Sequence, residues 1–415
     1  MALHTHPKWD VTMASSGGNP APDDCGAEAL TTVLISGASI AGPALASWLH
    51  RLGFTPVVVE SAPAPRPGGH AIDVRGAALR VLRAMGLAEA AQARRTCMRG
   101  VSELDAEGNE LWRSEEFTIS GGSFHLDAIE ILRNDLSEIL VRGLPSGVET
   151  IYGDSVEALA QDADGVSVSF RSGARRRFDF VVGADGLGSA TRRLVFGPDD
   201  QFIHPFHFAL APFSAPNMIG LEDWQLSYRD GTGSCTVYTA PGNKSLRVSF
   251  GFAAKFEDIP ADRPGQIALV RENCAHMRWK APELLDAMED APDFYLGSFA
   301  QVKMPHWTRG RVALVGDAAY CPSPYTGQGT SLAIVGAYVL AHELSRTPLD
   351  HAAAFSRYEA RMRPFVDANQ AIADLTRDER LTDPEYYTSV VEPALEAAKD
   401  AIVLPDLEAT EPEPA

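Results

Sequence analysis

The sequence predicts an α/β fold: a parallel-sheet unit interrupted by an inserted, mostly antiparallel β-sheet domain and followed by a C-terminal helical segment. Three observations predict it. Residues 31–60 read as strand, Gly-containing turn, helix and strand, the order that builds a parallel sheet. From about 202 to 299 the pattern changes to short alternating stretches, such as Cys235-Thr236-Val237-Tyr238 and Leu246-Arg247-Val248-Ser249-Phe250. Period-two alternation belongs to a sheet with one covered face. A buried-strand signal then returns at 311–317, and helical patterns follow at 329–344 and 349–374.

Taken in order, the first unit carries the most chemistry. Val33 to Ile35 is a short apolar run, as expected of a strand covered on both faces. Gly37-Ala38-Ser39-Ile40-Ala41-Gly42 stands where a G-x-G-x-x-G fingerprint would, with Ser39 in place of the middle glycine. A helix over 43–52 ends at Gly53, and the apolar run Val57 to Val59 closes on Glu60. Each part has a role in a Rossmann-like unit. Gly37 permits the turn, Gly42 lets helix and strand pack closely, and the helix start can bind a pyrophosphate. The Glu60 carboxylate can accept bonds from a ribose diol and would repel a ribose phosphate, so the unit suits the adenosine half of FAD or NAD rather than NADP. Ser39 counts against the match, because its hydroxymethyl group occupies space that the pyrophosphate approaches.

Beyond Glu60 lie a Pro-rich loop over 61–73, a helix over 77–85, a hairpin from Val101 to Arg113 and a helix over 132–143. Strands are predicted at 166–170 and 178–182. The expected domains are 30–200 with 300–348 for the cofactor, 201–299 for the substrate, and 349–404 for C-terminal helices. Residues 1–29 and 405–415 read as a disordered leader and tail, being rich in Pro and polar residues without period.

Composition narrows the function classes. The chain has 415 residues, 45% hydrophobic and 22% charged, with a net charge of −19. That acidity disfavours nucleic acid and anionic membranes as partners. No apolar run is long enough for a membrane span, and no signal peptide is visible, so a cytoplasmic location is expected. The five cysteines lack C-x-x-C spacing, which points to reduced thiols and to no metal site. Neither a metal cluster nor a nucleophile triad stands out among the histidines, of which His70, His204 and His207 are the notable ones.

Two further motifs select among the uses of the first unit. Phe180-Val181-Val182-Gly183-Ala184-Asp185-Gly186 is a strand running into a turn, followed by Ser189 and Arg192-Arg193. Arg311-Val312-Ala313-Leu314-Val315-Gly316-Asp317 is a strand presenting an aspartate, and it leads into Pro322-Ser323-Pro324-Tyr325-Thr326-Gly327-Gln328-Gly329. An acid after a buried strand can hold a ribitol or ribose hydroxyl, and the glycines let backbone amides approach a flat ring. In this order the three stretches resemble the flavin-dependent aromatic hydroxylases of the p-hydroxybenzoate hydroxylase type, over about residues 33–365. The resemblance is nearest to the tetracycline-modifying monooxygenases and the tailoring hydroxylases of aromatic polyketides. It includes Gly68-Gly69-His70-Ala71-Ile72-Asp73 and Leu132-Arg133-Asn134-Asp135-Leu136.

That resemblance implies a set of roles. Gly37, Ser39, Ile40, Ala41, Gly42 and Glu60 would hold the adenosine and pyrophosphate of FAD. Arg133 and Asp73 would lie against the flavin side, and Gly316-Asp317 at the ribityl chain. Asp185 and Gly186 would serve both FAD and the nicotinamide, Arg66 would meet the transient NADPH or NADH donor, and Pro324, Gly327, Gln328 and Gly329 would line the pyrimidine edge. The implied reaction inserts one atom of dioxygen into an aromatic or polycyclic substrate through a flavin 4a-hydroperoxide, with no catalytic side chain of its own. The chain is expected as a monomer or homodimer, without the thioredoxin-like domain of larger polyketide hydroxylases. Arg247 is either a substrate-facing cation or a solvated strand charge. Phe206, Phe208, Phe213, Trp224 and Tyr238 suit either a flat substrate or ordinary core. A halogenase would carry a W-x-W-x-I-P stretch, which this sequence lacks. The remaining alternative is a non-catalytic FAD-binding or assembly partner in a biosynthetic pathway, for which Ser39 is the support.

Overall fold

The computed structural model describes residues 31–65, 68–115, 128–347, 350–377 and 384–406. The predicted leader, Arg66 and most of the predicted tail lie outside these residues. A six-stranded sheet forms the centre of the first unit, in the order Thr308–Arg309, Val312–Leu314, Phe180–Gly183, Thr32–Ser36, Thr55–Glu60 and Glu149–Tyr152. All its pairings are parallel except that of Thr308–Arg309. Its apolar runs need cover on both sides. One face packs under the helices Ala41–Arg51, Ala77–Ala84, Gly329–Arg346 and His351–Thr376. The other face, through Leu34, Val57, Val59, Val181 and Val312, meets a three-stranded meander of Val156–Gln161, Val166–Phe170 and Arg175–Phe178.

A seven-stranded sheet follows the order Gly297–Val302, Ile203–Pro216, Ser245–Ala253, Gly233–Thr239, Gln225–Arg229, Val101–Leu104 and Glu110–Ser114. The predicted hairpin at 101–113 therefore extends the inserted sheet, by a parallel pairing of Val101–Leu104 with Gln225–Arg229. A boundary drawn at residue 200 cuts across this sheet. Two helices that alternation alone does not reveal, Arg263–Cys274 and Ala281–Asp290, cover one of its faces. Their starts were legible in principle: Asp262 caps the first, its carboxylate accepting from the Gly265 amide at 2.9 Å, and each helix has a proline in its first turn.

Strand register decides which residues face these helices. Leu246, Val248, Phe250 and Phe252 enter the core beneath them. Arg247, between them in sequence, therefore points to the opposite face. Cross-strand partners share a face, so Ser214, Arg247, Tyr238 and Gln225 form one row across four strands. The opposite face turns toward the first unit: the Tyr238 hydroxyl accepts from the Ala71 amide at 2.6 Å. Ala71 begins the strand Ala71–Arg75, which pairs antiparallel with Ala128–Leu132.

Near the C-terminus, the long helix at 329–346 is locked to the next by Glu343. That side chain is fully buried and bonds Arg357 at 2.7 Å and Arg361 at 3.0 Å. The last described residues are also tied down, because the Tyr338 hydroxyl donates to the Asp406 carbonyl at 2.9 Å. Pro405 and Asp406 are thus not part of the loose tail expected from 405, the rest of which lies outside the described residues. Among the described residues no helix is long and apolar enough to cross a membrane.

Candidate active site

The site gathers at the C-terminal ends of the parallel strands. Gly37 follows the strand Thr32–Ser36 with φ +112°, and its amide donates to the Val59 carbonyl at 2.7 Å. A Cβ there would stand 2.4 Å from the Ala184 carbonyl oxygen. At Gly42 a Cβ would come within 1.9 Å of the Gly37 carbonyl oxygen, so both positions exclude side chains. Ile40 and Ala41 open the helix, buried against the sheet. Glu60 ends the neighbouring strand and folds over the turn, its carboxylate accepting from the amides of Ala38 and Ala62, each at 2.9 Å.

Ser39 takes a definite place here. Its hydroxyl accepts from Arg133 Nη2 at 2.9 Å, and its carbonyl accepts from Ser137 Oγ at 3.0 Å. The replaced glycine thus anchors the guanidinium at the start of helix Arg133–Arg142, beside the turn where a pyrophosphate would lie. Ser137 was not anticipated; its position one turn along the helix from Arg133 is the only local signal for it.

Asp317 is reached from the next strand but one. Gly316, at φ +66°, precedes it, and a Cβ there would meet Ala41 at 3.1 Å. Burial pushes the Asp317 carboxyl up, against the opposing pull of Arg133 and of the Cys321 thiol. Arg133 and Asp317 therefore belong to one electrostatic site. Pro324 begins a short 3-10 turn, Gly327 closes it in the left-handed region at φ +63°, and Gly329 lies against the Asp317 carboxylate. Between them Gln328 is fully buried, and neither Nε2 nor Oε1 has a partner.

Two predicted residues are spent on the protein itself. The Asp185 carboxylate accepts from Ser189 Oγ at 2.5 Å and from the Thr191 amide and hydroxyl at 3.0 and 2.9 Å, so it organises its own turn. Gly186 continues that turn at φ +78°, with open space where a Cβ would be. Asp73 pairs with Arg75 at 2.7 Å, both 3% exposed, and with none of the other candidate residues described.

Facing this site across the Gly68–Ala71 stretch is the row containing Arg247. It is half-buried, its Nη1 donates to Ser214 Oγ, and its Nε is buried without a partner. Asp293 and Ser214 are partners that no sequence signal marked. His70 lies beside them, its Nδ1 3.5 Å from the Tyr295 hydroxyl. Burial, and secondarily the Arg133 charge, lower its imidazole to about 4. Phe213 turns into the core under the covering helices, whereas Phe206 and Phe208 pack against Tyr325 of the Pro324 turn. No group of His, Cys, Asp or Glu able to hold a metal ion occurs among the described residues.

The donor set fits FAD. The two-glycine turn admits a phosphate only where side chains are excluded, and the doubly unpartnered Gln328 amide needs a ligand that both donates and accepts. Comparison with known proteins agrees. The FAD binding domain family model matches residues 30–372. An uncharacterized protein of Mycobacterium tuberculosis (strain ATCC 25618 / H37Rv) is 45% identical over 342 residues, 82% of this chain and 92% of its own. A flavin-dependent monooxygenase from an unknown prokaryotic organism is 40% identical over 384 residues, 90% of this chain and 98% of its own. Among solved structures, the tetracycline destructase Tet(51) superposes with a TM-score of 0.83 at 34% identity, covering 91% of this chain and 100% of that one. The turn, the buried amide and these relatives converge: the chain belongs to the FAD binding domain family of flavin-dependent monooxygenases.

Proposed function

We propose that this monooxygenase oxygenates an aromatic or polycyclic substrate bearing an acidic phenol or enol oxygen, held between the Arg247 face of the seven-stranded sheet and the Gly68–Ala71 stretch. The observation that carries this reading is Arg247 itself. Its Nε is buried with no partner beside the cofactor-binding unit of an acidic protein, and a buried guanidinium N–H without an acceptor is costly unless a ligand supplies one. Relatives point to the same substrate class. One matched structure is that of a tetracycline destructase, an enzyme named for a polycyclic substrate.

Bound FAD supplies the redox chemistry, taking electrons from NADPH or NADH and activating dioxygen, one atom of which enters the product while the other leaves as water. The chain's own residues bind, orient and exclude water. Gly37, Ser39, Ile40, Ala41 and Gly42 form the turn for the pyrophosphate, with Arg133 placed beside it by Ser39. Glu60 would hold the ribose, and Asp317, with Gly316 behind it, the ribityl chain. Gln328, framed by Pro324, Gly327 and Gly329, would satisfy its orphaned amide on the ring edge. Asp185 and Gly186 shape the turn beside them, and Asp73 supports the Ala71–Arg75 strand through its pair with Arg75. Arg247 would pair with the substrate oxyanion and keep the ring electron-rich.

The test follows donor oxidation and product formation against a panel of polycyclic phenols, tetracycline included, under ¹⁸O₂. The expected result is a product carrying one labelled oxygen. Arg247→Ala should then release more hydrogen peroxide per donor oxidised. A panel in which no member binds or gains labelled oxygen would overturn the substrate class, and an unchanged peroxide ratio would remove Arg247 from the pocket.

A further inference from the structure

Arg247 does not hold its orientation alone. Its Nη1 donates to Ser214 Oγ, the cross-strand neighbour in the same row. A serine hydroxyl has one proton to give. Here Ser214 gives it to Asp293 Oδ2 at 2.5 Å, which leaves its lone pairs for the guanidinium. The Ser214 amide also donates to Asp293 Oδ1 at 2.9 Å, so the carboxylate grips Ser214 at two points. The chain of donors runs one way, from Arg247 through Ser214 to Asp293.

The position of Asp293 adds a second constraint. It follows the covering helix Ala281–Asp290 and precedes the strand Gly297–Val302, and it lies directly against Gly68: a Cβ at Gly68 would stand 1.9 Å from Asp293 Oδ2. Gly68 adopts φ +77°. The carboxylate is thus wedged between the row holding Arg247 and the stretch that carries His70 and Ala71. Its two oxygens hold Ser214, whose hydroxyl in turn fixes one end of the guanidinium fork and leaves the Nε edge for a ligand.

We propose that Asp293 is a positioning residue: acting through Ser214, it holds Arg247 in the rotamer that receives the substrate oxyanion. This rests on the substrate-facing reading of Arg247 given above. Without the charged acceptor the Ser214 proton is no longer committed, the hydroxyl becomes free to rotate, and the guanidinium loses its fixed end.

The experiment measures dissociation constants for the tightest-binding panel phenol, read as perturbation of the flavin absorbance of the FAD-loaded enzyme. Asp293→Asn, which keeps the shape against Gly68, should raise the constant about tenfold, the scale of one bond to a charged group. Ser214→Ala should reproduce that loss, and Ser214→Thr, which keeps the hydroxyl, should restore affinity to within about twofold of the unaltered enzyme. In an Arg247→Ala background, Asp293→Asn should change affinity by less than about twofold, because the two act as one unit. A merely structural Asp293 would add its loss in either background. Affinity unchanged in both Asp293→Asn and Ser214→Ala, or a tenfold loss that persists in the Arg247→Ala background, overturns the positioning role and leaves the Arg247 reading standing. Affinity unchanged in Arg247→Ala overturns that reading and the inference with it.

Discussion

At the scale of single residues, the site depends on where a few polar groups find partners. Glu60 caps the cofactor turn through two backbone amides. If its carboxylate also serves the ribose, Glu60→Ala should weaken FAD binding by about 1.5–3 kcal/mol, the range for bonds to a charged group; an FAD titration reads this directly, and unchanged affinity removes Glu60 from the ribose. His70 makes a different kind of prediction. Burial beside Arg133 holds its imidazole near 4 against an ordinary 6.5. The unfolded chain therefore takes up this proton first as the pH falls. The stability that His70 contributes is fully present above about pH 6.5 and is lost progressively as the pH drops toward 4. A titration of the His70 ring protons by NMR should show a midpoint near 4, and a midpoint near 6.5 would mean that the Gly68–Ala71 stretch stands open to water.

At the scale of elements, the two long C-terminal helices are joined by ion pairs as well as by packing. Burial raises the Glu343 carboxyl, but hydrogen bonds from Arg357 and Arg361 outweigh it and leave the group lowered. Removing one member of such a set strands the others. Glu343→Ala should cost about 3 kcal/mol, the low end for a broken buried pair because both guanidiniums remain about a third exposed. Urea unfolding measures it, and a loss below about 1 kcal/mol would show that packing alone joins the helices. The same helix also carries Gly336, where a Cβ would stand 1.9 Å from the Tyr320 hydroxyl. That hydroxyl bonds Tyr358 at 3.0 Å, so close approach of helix 329–346 to residues 317–320 needs glycine there.

At the scale of the whole molecule, the FAD site is assembled from segments far apart in sequence, so cofactor and stability are linked. FAD at a hundred times its dissociation constant should stabilise the folded chain by about 2.7 kcal/mol and raise its thermal midpoint. Asp317→Ala should give folded protein that is largely free of FAD and whose midpoint no longer responds to FAD at that concentration. Stoichiometric yellow protein with normal turnover from that variant would show that the Gly316-Asp317 step is only a turn. Gln328 belongs to the same scale: both of its amide atoms are buried without a partner among the described residues, and the proposed ring edge would supply one.

The sequence by itself determined the parallel unit and its chemistry. Apolar runs at 33–35, 57–59 and 180–182, the helices predicted over 43–52, 132–143 and 329–344, and the glycine turn with Glu60 are all written in local periodicity and turn residues. Local signals survive folding because a buried strand or an amphipathic helix needs its pattern wherever it packs. Tertiary structure decided what depends on distant partners. Only pairing across long separations places the hairpin Val101–Leu104 with Glu110–Ser114 at the edge of the second sheet, and joins Ala71–Arg75 to Ala128–Leu132. Ser39 reads as an obstruction until Arg133, from another element, supplies its partner. Alternation puts Arg247 opposite its apolar neighbours, but whether that face meets water or the Gly68–Ala71 stretch is set by Tyr238 bonding Ala71 and by Asp293 lying against Gly68. Asp293 and Ser214 carry no motif at all, since a hydrogen-bonded chain of side chains from separate strands and loops leaves no period in the sequence.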